Sequence, residues 1–128
     1  MIKNFVIYGL LGLCMEVVFT GLASVARRDG RLSCVTSLWM FFIYGLAAFF
    51  LPVMDFLSEY PIFARGAVYS VCIFAVEYAA GSALRRFDAC PWDYSGAKYS
   101  VGGVIRLDFA PLWFCAGLLF EFVYRVFI

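Results

Sequence analysis

Three glutamates lie inside long apolar segments of this 128-residue sequence, where a carboxylate is costly and therefore informative. They are Glu16, Glu77 and Glu121. An ionised, unpaired carboxylate at the centre of a membrane helix costs about 3 kcal/mol or more. Small residues at helical spacing accompany each acid, which predicts that the acids face neighbouring helices. They either form a polar pocket for a proton, a cation or a polar substrate, or they are hydrogen-bonded groups that only specify packing.

A second group of candidate binding residues lies in the one long polar segment, residues 85–108. They are Trp92, Asp93, Tyr94 and Arg106. The aromatic pair is typical of a membrane–water interface. On the functional interpretation, Asp93, Arg106 and Asp108 line the mouth of a pocket beneath Glu77. The alternative is a loop that lies on the lipid headgroups.

The motifs of common catalytic and cofactor sites are missing from these 128 residues. There is no histidine, and the five cysteines include no C-x-x-C pair. The sequence contains no nucleotide-binding loop, no G-x-S-x-G motif and no metal-ligand spacing. We therefore predict no catalytic residue, no metal and no cofactor. A net charge of +1 gives no reason to expect a nucleic acid as partner.

The composition points to lipid as the solvent of this chain. Hydrophobic residues make up 65% of it and charged residues 15%. A globule of this size cannot bury that much apolar surface. Four segments reach the length of about 20 residues that a transmembrane helix needs. They are residues 4–26, 35–57, 62–84 and 109–128. We predict an all-α integral membrane protein, with one four-helix domain and a longer polar loop, residues 85–108, between helices 3 and 4.

The first and third spans resemble each other. Tyr8 precedes Glu16 by eight residues, and Tyr69 precedes Glu77 by the same spacing. Both spans end in an arginine pair, and a Leu-Trp pair occurs near the start of the second and fourth spans. The pattern is compatible with a duplicated two-helix unit. Parallel repeats of this kind often form a binding site at their interface.

The lysines and arginines predict an orientation. Seven of the ten lie in or beside residues 27–34 and 85–108, and three lie toward the other face. Because positive loops stay on the cytoplasmic side, we expect these two loops to be cytoplasmic and both termini to be outside. The bilayer is the first partner. Four helices alone make a thin pore wall, so we also expect a homo-oligomer or other membrane subunits.

Five stretches resemble a known family. They are IYGLLGLCMEVVF (7–19), TSLWMFFIYG (36–45), EYAAG (77–81), CPWDYS (90–95) and GGVIRLDFAPLW (102–113). Together they resemble the putative ABC-transporter type IV family of small bacterial multi-span proteins, over almost the whole chain. The resemblance implies a permease-like component in the bacterial inner membrane, with a separate ATPase if it is part of a pump. The motif residues that match are Glu16, Glu77, Trp92, Asp93, Tyr94, Gly103 and Arg106. The family pattern has proline where this chain has Phe42, so a kink there is in question.

Three hypotheses on function remain open. The first is a transporter or permease-like component with an intramembrane carboxylate site. The second is a non-catalytic membrane assembly or lipid-binding scaffold subunit. The third is a lipid-modifying membrane enzyme with Glu77 and Asp93 as its acid–base pair, although the sequence has no nucleophile motif to support it.

Overall fold

The structure is a computed structural model that describes residues 2–34 and 36–128. Four helical segments are long and apolar enough to cross a membrane. They are Ile2–Ala26, Leu38–Phe56, Ile62–Arg85 and Leu107–Phe127. The prediction of an all-α fold with four spans is confirmed, and the chain is an integral membrane protein. The predicted and observed ends agree within a few residues, as is usual for helix ends. The predicted start of the second span, residue 35, lies outside the described residues.

The regular elements follow one another along the chain with few irregular connections. They are α1 (Ile2–Ala26), α2 (Leu38–Gly45), a 3₁₀ segment (Leu46–Phe50), α3 (Leu51–Phe56), α4 (Ile62–Arg85), β1 (Ser100–Val101), β2 (Ile105–Arg106), a 3₁₀ turn (Leu107–Phe109) and α5 (Ala110–Phe127). The chain forms two compact units, Met1–Phe49 and Phe50–Ile128. We call them the N-terminal unit and the C-terminal unit.

The second span is not a uniform α-helix. Its α-helical start, α2, tightens into the 3₁₀ segment and becomes α-helical again in α3. Pro52 lies in the first turn of α3. Proline has no N–H to donate to the carbonyl of Ala48, four residues earlier, and its ring crowds that carbonyl. The irregularity is therefore centred before Pro52, whereas Phe42 lies within the regular α2.

In the N-terminal unit, glycines let α2 approach α1 closely. A Cβ on Gly9 would lie 2.7 Å from the Phe41 ring and 2.8 Å from its carbonyl oxygen. A Cβ on Gly12 would overlap the side chain of Tyr44. Conversely, α2 supplies a glycine against a ring of α1, because a Cβ on Gly45 would lie 2.7 Å from Phe5. The small residues predicted beside Glu16 therefore serve contacts inside this unit.

In the C-terminal unit, α4 and α5 pack in the same manner. A Cβ on Gly66 would overlap Phe114, and a Cβ on Gly117 would overlap Tyr69. The start of α5 lies beside the middle of α4, because the hydroxyl of Ser70 donates to the carbonyl of Ala110 at 3.2 Å. The segment between the two helices must therefore run back along the second half of α4.

That segment, residues 86–109, has a small folded core of its own. β1 and β2 form an antiparallel pair with Val101 opposite Ile105. Gly102 and Gly103 make the turn with φ values of +62° and +71°, a conformation that favours glycine. Two adjacent glycines are a turn signal in a sequence, and the structure has its turn at this pair. Val104 is 2% exposed, which shows that the turn packs inward against the unit.

Candidate functional site

The folded-back loop reaches one of the intramembrane acids. The hydroxyl of Tyr94 donates to Glu77 Oε1 at 3.3 Å. Glu77 lies two turns before the end of α4 at Arg85, which places it about 12 Å along the helix from that end. A residue of the polar loop therefore contacts a carboxylate within the third span. The sequence predicted a pocket beneath Glu77 with charged loop residues at its mouth, whereas the hydrogen bond seen in the structure comes from Tyr94. The pocket itself stays a prediction.

Trp92 fixes the loop against α4. Its indole Nε1 donates to the carbonyl of Val104 at 2.8 Å, across the base of the β-turn. A Cβ on Gly81 would come within 3.0 Å of both Trp92 and Val104, so glycine at this position lets the loop lie directly on the helix. Tryptophan in this segment is typical of the lipid interface, yet the polar atom of Trp92 holds the loop together.

Arg85 and Asp93 form a second attachment of the loop. The Nη2 atom of Arg85 donates to Asp93 Oδ1 at 2.9 Å and to the carbonyl of Gly103 at 2.8 Å. The hydroxyl and amide of Ser95 also donate to this carboxylate oxygen of Asp93, at 2.6 and 3.0 Å. The hydrogen bonds from Ser95, together with the guanidinium of Arg85, hold the pKa of Asp93 below its usual value. Asp93 is exposed and acts as an anchor of the loop, not as a group that touches Glu77.

Arg106 lies beside two aromatic side chains, those of Tyr94 and Phe109. Its guanidinium lies 4.4 Å from the ring centroid of Phe109 and 6.0 Å from that of Tyr94. It is paired with Asp108, with Nη2 to Oδ2 at 2.6 Å. Phe109 in turn meets Tyr94 and Trp113 edge-on, with centroids 5.6 and 6.0 Å apart. An aromatic cluster therefore joins the loop, the start of α5 and the hydroxyl that contacts Glu77.

Glu121 belongs to a different part of the C-terminal unit. It is 5% exposed and is bound by Arg65 Nε at 3.1 Å and Arg125 Nε at 3.2 Å. The hydroxyl of Tyr69 also donates to it. Tyr69 precedes Glu77 by two helical turns, about 12 Å along α4. The structure thus separates Glu121 from Glu77, and the two acids do not share one pocket.

Glu16 is bound within the N-terminal unit. The hydroxyl of Tyr44 donates to Glu16 Oε1 at 2.8 Å, between α1 and α2. The acid is half-buried. A carboxylate held by a neutral phenol between two helices can specify their packing, as the sequence analysis allowed.

The two glutamates of the suggested repeat have different partners. Glu16 is bound by a tyrosine of the next helix, whereas Glu77 is bound by Tyr94 of the loop. Tyr69, which corresponds to Tyr8 in the repeat, contacts Glu121. The hydrogen bonds seen at the two glutamates thus come from different parts of the chain.

The sequence matches the family described as "Putative ABC-transporter type IV" over residues 3–128. This chain belongs to that family. The match covers nearly the whole sequence and confirms the resemblance seen in the separate motifs. No solved structure matches the chain. For this member of the type IV family, membership and four apolar helices fit a transporter-like membrane protein.

Two further residues of this type IV protein, Arg85 and Gly81, belong to the site. Neither was a predicted site residue. Arg85 was counted only as a charge of the loop, yet it donates to two loop carbonyls and to Asp93. Gly81 was noted only as a small neighbour of Glu77. Its position one turn after Glu77 was the available signal, because glycine on a helix allows close approach of another segment.

Proposed function

We propose that this protein is a permease-like component whose transport site is formed by Glu77 of α4 and the loop residues that cover it. The observation that carries the proposal is the contact of Tyr94 with Glu77. Non-helical backbone at membrane depth is tolerated where it is buried in protein or lines a polar cavity. A loop folded back along a spanning helix to its carboxylate has the form of such a site.

The chemistry of the site suits a proton or a cation. Glu77 supplies a carboxylate that can bind either one, and the Tyr94 hydroxyl can donate to it or turn toward an incoming ligand. On the C-terminal side of Glu77, the loop is held in place by Arg85 and Trp92. A movement of this loop would therefore open or close access to Glu77 from the loop side of the membrane.

The other two intramembrane acids, Glu16 and Glu121, are bound by side chains that hold helices together. Glu121 is bound by two guanidinium groups, and Glu16 is bound by a tyrosine between two packed helices. The glycines beside them are used in contacts within each unit. Gly9, Gly12 and Gly66 therefore give no support to the scaffold hypothesis as docking positions for the helix of a partner.

The proposal also covers the location, the orientation and the partners of the protein. We place the protein in the bacterial inner membrane with loops 27–34 and 85–108 in the cytoplasm, as the distribution of positive charges favours. ATP hydrolysis would come from a separate subunit if the protein is part of a pump, since these 128 residues contain no nucleotide-binding loop. Homo-oligomers or further membrane subunits would complete the pore wall.

A flux assay tests the proposal. The purified protein is reconstituted in liposomes that contain a pH-sensitive dye, and an imposed potassium diffusion potential drives proton entry. A second series uses a cation-sensitive dye. We expect Glu77→Gln to lower the flux by about tenfold or more, the effect of losing one charged ligand of about 1.5–3 kcal/mol. Tyr94→Phe keeps the carboxylate and should shift the pH profile with a smaller loss.

Glu59→Gln is the matched control, because it removes an exposed carboxylate from the connection before α4. It should leave the flux unchanged. Equal flux in wild type and Glu77→Gln, with both proteins folded, would refute the assignment of Glu77. If wild-type liposomes are no more permeable than empty ones in both series, the scaffold hypothesis takes its place.

A further inference from the structure

A second polar cluster lies at the end of the C-terminal unit where α4 begins and α5 ends. Arg65 and Arg125 both bind the carboxylate of Glu121 through their Nε atoms. Arg65 also donates through Nη1 to the carbonyl of Tyr60 at 2.7 Å, just before α4. Tyr69 donates to Glu121 from within α4. We call Arg65, Tyr69, Glu121 and Arg125 the arginine cluster.

The charges within this cluster do not balance. It contains two guanidinium groups and one carboxylate, and a further carboxylate lies close by, because Asp55 accepts a hydrogen bond from Tyr124, the residue before Arg125. Glu121 is 5% exposed and sits between the arginines, whereas the Arg125 side chain is 47% exposed. Nε lies at the base of the guanidinium fork, so a carboxylate bound there leaves the outer edge of the fork pointing away from it. The buried acid thus orients an exposed guanidinium.

The depth of the cluster fits the headgroup region. Arg65 lies in the first turn of α4, which begins at Ile62, and Arg125 lies in the last turn of α5, which ends at Phe127. A helix of the length of α4 spans about 36 Å, somewhat more than the hydrocarbon core of about 30 Å. The ends of such helices therefore reach the phosphate groups. Tyr60, 47% exposed, is an aromatic residue typical of that layer.

From this arrangement we propose that the arginine cluster binds the phosphate of an anionic phospholipid headgroup. The phosphate accepts hydrogen bonds from the outer edge of Arg125, which Glu121 holds in place, and the exposed guanidinium supplies the positive charge that pairs with the headgroup. Arginine is suited to this ligand because its planar fork donates two parallel hydrogen bonds to phosphate oxygens. The site is separate from Glu77 and does not depend on transport.

Native mass spectrometry of the detergent-purified protein tests the site with phosphatidylglycerol as the added lipid. Arg125→Gln removes the exposed guanidinium and leaves Glu121 bound to Arg65 and Tyr69, so the α4–α5 contact is retained. We expect binding of one lipid to weaken by about tenfold. Lys3→Gln removes the same charge from an exposed residue of α1 on the same predicted face, and binding should not change. Circular dichroism checks that each variant is folded.

Two further measurements make the result decisive. Arg125→Lys keeps the charge but not the fork, so it should bind more weakly than wild type and more strongly than Arg125→Gln. It also replaces Arg125→Gln if that variant does not fold. Millimolar inorganic phosphate should not displace the lipid. Equal weakening by Lys3→Gln, unchanged binding in both Arg125 variants, or displacement of the lipid by millimolar inorganic phosphate would each overturn the proposal.

Discussion

Replacing Gly9 by alanine would place a methyl group inside the contact between α1 and α2. The added Cβ would lie 2.7 Å from the Phe41 ring and 2.8 Å from the Phe41 carbonyl oxygen. These distances are about 1 Å shorter than the optimum for non-bonded atoms of ~3.5–4.0 Å. A ring can rotate, but the carbonyl belongs to the backbone of α2. The two helices would therefore have to move apart.

Moving α2 outward would also strain the hydrogen bond from Tyr44 to Glu16, which joins the same helices. Overpacking of a well-packed contact costs about 1–3 kcal/mol. Alanine has a higher helix propensity than glycine, which offsets up to about 1 kcal/mol. We expect Gly9→Ala to lower the free energy of unfolding by about 1–2 kcal/mol.

Gly21→Ala is the matched control in the same helix. It brings the same gain in helix propensity, but its Cβ would meet only the Cys34 sulfur, at 3.1 Å, among the described residues. Cys34 lies in the exposed connection after α1 and can shift at little cost. Unfolding in mixed detergent micelles, followed by circular dichroism, gives the two free energies. A Gly9→Ala protein as stable as Gly21→Ala would refute the close packing of α1 against α2.

The remaining predictions concern the loop. Trp92→Phe should lower the free energy of unfolding by about 1 kcal/mol, because it removes the hydrogen bond to Val104. Trp113→Phe should have a smaller effect in the same unfolding assay, since the buried indole N–H of Trp113 meets no acceptor among the described residues. Equal losses would contradict that distinction. The lowered pKa of Asp93 stabilises the attached loop at pH above the unfolded-state value of about 3.9, and this contribution is lost as the pH falls through the lower folded-state pKa. Limited proteolysis of the loop, using an acid-active protease, should accelerate in this range for wild type, while Asp93→Asn should be cleaved readily at both pH 3 and pH 6.

The positions of the four spans could be predicted because they depend on a local property of the chain. A run of about 20 apolar residues needs a helix in lipid whatever surrounds it, since the backbone must satisfy its own hydrogen bonds. The turn at Gly102 and Gly103 was equally local, because two adjacent glycines adopt positive φ without steric cost. The family could likewise be identified from short motifs, because each motif is a local stretch of the sequence.

The partners of the acids were decided by the tertiary structure. Glu16 and Glu77 have the same sequence spacing from a tyrosine, yet one is bound by Tyr44 of the next helix and the other by Tyr94 of the loop. Helical periodicity tells which face an acid occupies but not which distant segment covers that face. The pairing of Glu121 with Arg125 could be anticipated from their spacing of four residues, while its pairing with Arg65 required the approach of α4 and α5.

The loop between α4 and α5 shows most clearly which features depend on local sequence and which depend on contacts between distant residues. Its composition indicated a polar segment with turns, and its aromatic residues indicated an interface. The sequence did not show that the loop runs back along α4, since this depends on Arg85 binding two carbonyls that follow it by 17 and 18 residues. Gly81 allows that approach, because a Cβ at this position would come within 3.0 Å of Trp92 and Val104. Local sequence thus determined the spans and the turn, whereas contacts between distant residues determined which acid the loop reaches.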